Sequence, residues 1–175
     1  MYLVSIYFDK TTDQRIYNYI ETVAMKSGNH LMIEGKVPPH ITISSFETKN
    51  EREAIHCLQE GICKLKQGRI QMVSVGAFPS NALFVAPVVN EYLHSISDLV
   101  FETISKVDQV KISRYYQPFQ WMPHLTIAKK LTDKEMMAAF QELQSQFQMF
   151  SAQVTKIGLA KTNPYRDIVS WELSE

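Results

Sequence analysis

Two short segments of the chain carry the same chemistry. Pro38-Pro39-His40-Ile41-Thr42-Ile43 and Met122-Pro123-His124-Leu125-Thr126-Ile127 each place a histidine and a threonine two residues apart, directly after a proline. Side chains alternate along a strand, so His40 and Thr42 share one face, as do His124 and Thr126. Ile41, Ile43, Leu125 and Ile127 then fill the opposite, core-facing side. A neutral imidazole can take the proton of an attacking water or hydroxyl, and a protonated one across from it can protonate the leaving oxygen. Histidine suits both tasks because its pKa lies near working pH. The two threonine hydroxyls can donate to nonbridging phosphoryl oxygens, where charge grows in the transition state. The set fits a phosphodiester and asks for no metal. His30, His56 and His94 fall on other elements, and neither HExxH nor Cys-x-x-Cys spacing occurs.

An isolated histidine beside a sheet commonly just satisfies a backbone group. What separates His40 and His124 from that case is the organisation of the chain around them. Tyr2 to Phe8 reads as a strand, Asp9 as a cap for a helix through Ile16, Tyr19, Ile20 and Val23, and His40 to Phe46 as a buried strand. A helix from about Asn50 to Lys66 and a strand from Ile70 to Phe78 complete a β-α-β-α-β unit. The same order then recurs: strand Asn81 to Val88, helix Asn90 to about Lys106, strand His124 to Lys130, a helix opened by Thr132, and strand Phe150 to Ala160. Leu3 aligns with Leu83, His40 with His124 and Ile70 with Phe150, at shifts of 80, 84 and 80 residues. That spacing is too long for a solenoid, and it puts both histidines at equivalent places in a duplicated unit.

The expected fold is therefore α+β: two pseudo-twofold-related repeats, roughly 1–79 and 80–161, plus a C-terminal strand at 167–174, within a single domain spanning 1–175. Two mainly antiparallel sheets would face a central cleft, with helices outside.

Eighteen basic residues balance eighteen acidic ones, which excludes a broad positive field for holding long nucleic acid. The favoured ligand is then a small nucleotide or short RNA held locally. No apolar run approaches the roughly 20 residues of a membrane span, and no signal sequence opens the chain. The protein is expected to be soluble, cytoplasmic and monomeric, without metal or cofactor. Cys57 and Cys63, six residues apart in a helix, read as free thiols.

The segment from Asp108 to Met122 is longer than its counterpart in the first repeat and rich in aromatic residues. Tyr116, Phe119 and Trp121 there, and Phe84 by the repeat junction, are candidates for stacking a base, against core packing as the plainer role. Lys129, Lys130, Arg114, Lys161 and Arg166 are candidates for further phosphate contacts, against simple solvation.

Tandem His-x-Thr strands in a duplicated chain of this size resemble the two-histidine (2H) phosphoesterase superfamily, which includes 2′-5′ RNA ligase-like proteins and cyclic phosphodiesterases. Gly76-Ala-Phe-Pro-Ser-Asn-Ala-Leu-Phe-Val-Ala-Pro is similar to the family's segment between the two repeats. The resemblance implies a bilobal fold with the site in the central groove. It also implies His40 and His124 as acid and base, and Thr42 and Thr126 as phosphate ligands. Where family members commonly carry an arginine after the second motif, this chain has Lys129 and Lys130, point charges without a bidentate fork. The implied activity is metal-independent hydrolysis, or reversible formation, of RNA-type phosphodiesters such as 2′,3′-cyclic phosphates or 2′-5′ linkages. The alternative is a non-catalytic nucleotide or RNA-end binding module on the same fold.

Overall fold

Side-chain caps open most of the helices. Asp9 accepts from the Thr12 amide at 3.0 Å and starts α1 (Lys10–Ser27), which ends at Gly28 in the left-handed region, φ 77°. A five-residue helix, α2 (Leu31–Gly35), follows in a segment whose sequence reads as loop. Asn50 caps α3 (Glu51–Ile62) and Asn90 caps α4 (Glu91–Ile104). Thr132 starts α5 (Asp133–Gln146) with a capping box, Glu135 returning the bond to the Thr132 amide. The third helix stops short of Lys66 because Lys64 and Leu65 bond back three residues instead of four, tightening the last turn.

The computed structural model describes residues 1–79 and 81–175; Ser80, first residue of the second repeat, lies outside them. Among the described residues eight strands form: β1 (Tyr2–Phe8), β2 (Ile41–Glu47), β3 (Gly68–Phe78), β4 (Ala82–Pro87), β5 (Lys111–Ile112), β6 (Leu125–Ala128), β7 (Phe150–Lys161) and β8 (Arg166–Glu172). The pairings between named strands are all antiparallel. β6 ends sooner than the apolar run suggests because Lys130 turns into the left-handed region, φ 55°, on the way to the Thr132 cap.

The α+β class, the antiparallel pairing and the duplication agree with the sequence reading. The two expected sheets, however, are joined into one ladder in the order β1-β2-β6-β4-β3-β7-β8, with β5 on β2 and a further β1–β7 pairing. β7 makes this possible by its length: Phe150 to Val154 pair with β3, Lys156 to Lys161 pair with β8, and the other edge pairs with β1. The third strand of each repeat thus pairs with the first strand of the other, β7 with β1 and β3 with β4. The helices follow the same exchange, with α1 against α5 and β6, and α4 against α3 and β2. One continuous core of Val4, Ile6, Ile20, Ile41, Phe46, Leu58, Leu83, Ile96, Leu125, Leu143 and Ile157 lies between sheet and helices.

Candidate active site

Ile41 and Leu125 are fully buried and directly paired, the one bridge between the two motif strands. In an antiparallel pair the neighbours of a bridged couple oppose each other crosswise, so Thr42 comes opposite His124 and His40 opposite Thr126. Facing residues sit roughly 5 Å apart and residues two along a strand nearly 7 Å, so the histidines occupy a diagonal of roughly 8 Å with a threonine at each other corner. All four are partly exposed while Ile41, Ile43, Leu125 and Ile127 are buried, the alternation their spacing implies.

Each imidazole is held the same way. His40 Nδ1 lies 2.7 Å from the Pro38 carbonyl, and His124 Nδ1 lies 2.9 Å from the Met122 carbonyl. A carbonyl can only accept, so Nδ1 carries the proton in both rings, and in the neutral tautomer Nε2 is left bare. The residue two before each histidine therefore fixes which nitrogen is available for proton transfer. Burial lowers the pKa of His40, the nearby Lys129 and His124 charges lower it further, and the Pro38 bond and Asp167 act the other way.

Thr42 is the better-buttressed threonine. Its carbonyl accepts from the Trp121 indole at 2.9 Å, and its hydroxyl lies 3.5 Å from Ser5 Oγ. The long segment before the second motif is thus laid along the first motif's strand: β5 pairs with Phe46 and Glu47, and the Ser113 amide bonds Ser45. Arg114–Tyr116 forms a 3-10 turn between them. Trp121 is brought to the site as a support of Thr42, and the turn carrying Tyr116 lies against β2.

Phe84 is 4 % exposed and walls His124, its ring centroid 5.6 Å away, together with Phe78 at 4.7 Å. Gly76, opposite Phe84 in the ladder, makes this possible, since a Cβ there would lie 2.5 Å from the Phe84 ring. Phe119 is 90 % exposed and meets His94 of α4 edge-on. Lys129 is exposed and near enough to His40 to act on its charge. Lys130 is also exposed, and Arg114 folds onto Tyr115. Lys161 lies over the Tyr2 ring and Arg166 pairs with Glu51 of α3 at 3.6 Å, so both serve the helix side of the sheet instead of the motif face.

Sequence reasoning missed Ser5, Tyr7, Phe78, Tyr165 and Asp167. Ser5 and Tyr7 alternate onto the motif face of β1, and Tyr7 stands 6.0 Å from His40. Period-two reading of β1 contains that face, but only the β1–β2 register shows which motif it meets. Among the described residues, no three His, Cys, Asp or Glu side chains gather to hold a metal ion. Nor, among the described residues, is any helix long and apolar enough to cross a membrane. Cys57 and Cys63 are free thiols.

The sequence pattern of the 2′-5′ RNA ligase superfamily matches residues 13–166, both motifs included. The chain belongs to that superfamily. No curated protein sequence matches this superfamily member. Its fold recurs in solved structures at low identity. A crystal structure described as a phosphoesterase has TM-score 0.64 and 12% identity over 99% of this chain and 98% of its own. Escherichia coli LigT complexed with ATP has TM-score 0.59 and 13% identity over 99% and 97%. Kluyveromyces marxianus Usb1 has TM-score 0.55 and 12% identity over 98% and 97%.

Proposed function

We propose that the chain is a metal-independent phosphoesterase that opens or reversibly forms RNA-type phosphodiesters, 2′,3′-cyclic phosphates or 2′-5′ linkages, with His40 and His124 as the acid–base pair. The observation carrying this reading is the matched diagonal of imidazoles, both with Nδ1 tied to a carbonyl and Nε2 left for chemistry. A phosphate between the two rings would meet a proton acceptor on one side, a donor on the other, and Thr42 and Thr126 at its nonbridging oxygens. Reversal of the reaction exchanges the histidines' roles, so hydrolysis and ligation need no separate machinery. The nucleotide class is supported by LigT, whose solved complexes hold ATP and 3′-AMP. Neutral overall charge favours a small nucleotide or short RNA over a long polyanion.

A panel of 2′,3′-cyclic nucleotides and 2′-5′ dinucleotides, incubated with the protein in EDTA and resolved by chromatography, tests reaction class and metal independence together. Turnover that survives EDTA and drops by about three orders of magnitude or more in His40→Ala and in His124→Ala is expected. Wild-type rates in either variant would remove the pair from the reaction. Nucleotide binding by calorimetry with no product by phosphorus NMR would instead establish the binding-module reading.

A further inference from the structure

Each motif threonine stands at the head of the same cross-strand row. Thr42 pairs with Ser5 and Ser5 with Gly158; Thr126 pairs with Phe84 and Phe84 with Gly76. In both rows the glycine leaves room for an aromatic ring beside the neighbouring histidine. A Cβ on Gly76 would lie 2.5 Å from the Phe84 ring, and one on Gly158 would lie 3.1 Å from the Tyr7 ring. Beyond that ring the two halves differ. Two residues past Gly76 stands Phe78, its ring centroid 4.4 Å from that of Phe84, and it closes the His124 half with carbon. Two residues past Gly158 stands Ala160, so no second ring is added, and the row runs on from Gly158 to Ser170 of β8. A cavity of about 510 Å³ opens there, lined by Tyr7, Pro38, Lys156, Gly158, Asp167 and Ser170. The Pro38 carbonyl holds His40 Nδ1 at 2.7 Å, and the Tyr7 ring centroid lies 6.0 Å from that of His40. The cavity therefore begins where the histidine pair ends.

We propose that this cavity is the nucleoside subsite: with a phosphate between the histidines, sugar and base lie over β7 and β8 on the His40 side, and the base held there carries an exocyclic amino group, as adenine, guanine and cytosine do. The placement of the phosphate rests on the function proposed above. The volume falls within the roughly 300–1,000 Å³ of ligand clefts. Tyr7 offers the base an aromatic ring, the means by which single-stranded nucleotides are commonly held. The polar lining selects among bases. Asp13 of α1 joins Asp167 in the lining, and an ionised carboxylate can only accept. Tyr165 donates to Asp167 Oδ1 at 2.6 Å, which holds that carboxylate in place and leaves its second oxygen for a ligand. Lys156, the cation of the lining, is tied to Glu172 at 3.1 Å. Acceptors therefore outnumber free donors, and a ligand must bring the protons. Cytosine does so with its amino group, where uracil has a carbonyl oxygen that would face a carboxylate. The His124 half offers a base only the packed rings of Phe78 and Phe84.

Isothermal titration of the full chain with nucleoside 3′-monophosphates and with inorganic phosphate reads the subsite without needing turnover. Ser170→Trp fills the cavity from an exposed position on the edge strand β8. It should weaken 3′-AMP binding by about tenfold or more and leave inorganic phosphate bound as in the wild type. Ser74→Trp sets the same ring on the corresponding face of the other half, from an exposed position two residues before Gly76, and should change neither. No loss in Ser170→Trp, or an equal or larger loss in Ser74→Trp, would overturn the placement of the nucleoside. So would 3′-AMP binding no tighter than inorganic phosphate to the wild type. To the wild type 3′-UMP should bind about fivefold or more weaker than 3′-CMP, and Asp167→Asn should narrow that gap. Equal affinities of the wild type for the two would overturn the choice of base. Loss of phosphate binding along with nucleotide in Ser170→Trp would mark misfolding, and the wild-type comparison of 3′-CMP with 3′-UMP then decides. Absence of cyclic-nucleotide turnover in the wild type would sink the proposed function, while the titrations would still decide the subsite.

Discussion

Ile41 and Leu125 face each other across the single bridge that joins the two motif strands, and the placement of the four polar residues around them follows from that contact. Because both residues are buried, shaving one should loosen the site as well as the core. Ile41→Ala is expected to cost about 2–5 kcal/mol in urea unfolding. The isosteric Ile41→Leu should cost much less and retain activity. Equal stability for Ile41→Ala and wild type would show that the bridge does not tie the strands.

Thr42 and Thr126 are each expected to be worth about 10²–10³ in kcat when replaced by alanine, if their hydroxyls donate to transition-state charge. Serine should recover most of the rate. Losses confined to KM, measured on a cyclic nucleotide, would reassign both to ground-state binding.

His40 has a pKa lowered from the ordinary 6.5 chiefly by burial. Were it the proton acceptor of the proposed reaction, it should give an ascending limb of kcat/KM with its midpoint below pH 6.5. The sign for stability is the same. With the folded-state pKa below the unfolded one, the unfolded chain binds more protons between the two, so His40 destabilises the fold as pH falls through 6.5 toward its lowered value. His40→Gln should flatten that part of the stability curve in urea titrations between about pH 5 and 7.

Asp13 is pushed up to about 6 by burial and the nearby Asp9, with one carboxylate oxygen buried and unpartnered. Its raised pKa means the folded chain holds the proton more tightly, so Asp13 costs stability increasingly as pH rises from 3.8 through about 6. Allowing for its partial exposure, Asp13→Asn should stabilise by about 1 kcal/mol at pH 7 and by little near pH 3. A variant less stable than wild type at neutral pH would mean the carboxylate has a partner that favours its charge.

Gly76→Ala should crowd the Phe84 ring against His124. The expected cost is about 1–3 kcal/mol, with lowered turnover. Pairing it with Phe84→Leu should recover stability. If Gly76→Ala alone were neutral in both respects, the Phe84 wall would have no part in holding His124.

The motifs were legible because everything they need is local. Alternation separates His40 and Thr42 from Ile41, and a repeat of about 80 residues says that His124 and Thr126 do the same thing elsewhere. The caps Asp9, Asn50, Asn90 and Thr132 were equally readable, each lying within three residues of the amide it serves. What could not be read is partnership across the sheet. Tyr7 and Asp167 are 160 residues apart and meet only because β7 runs between β1 and β8. Trp121 and Tyr116 carry the composition of a stacking surface, yet the hydrogen bond of Trp121 to Thr42 depends on β5 joining the far edge of β2. Phe84 was balanced between base contact and packing by its position alone, and the absence of a Cβ at Gly76 places it beside His124.

The exchange of third strands makes each repeat depend on the other for its hydrogen bonding. Cut at the junction of the repeats, the first half would keep β1, β2 and β3, yet β1 would lack the neighbour that β7 provides and β3 the neighbour that β4 provides. A lone repeat could complete its hydrogen bonding only against a second copy of itself, each lending its last strand to the other. Within the one polypeptide each half supplies that strand to the other, and the sharing is not symmetric in side chains: Tyr7 stands beside His40, Phe78 and Phe84 beside His124.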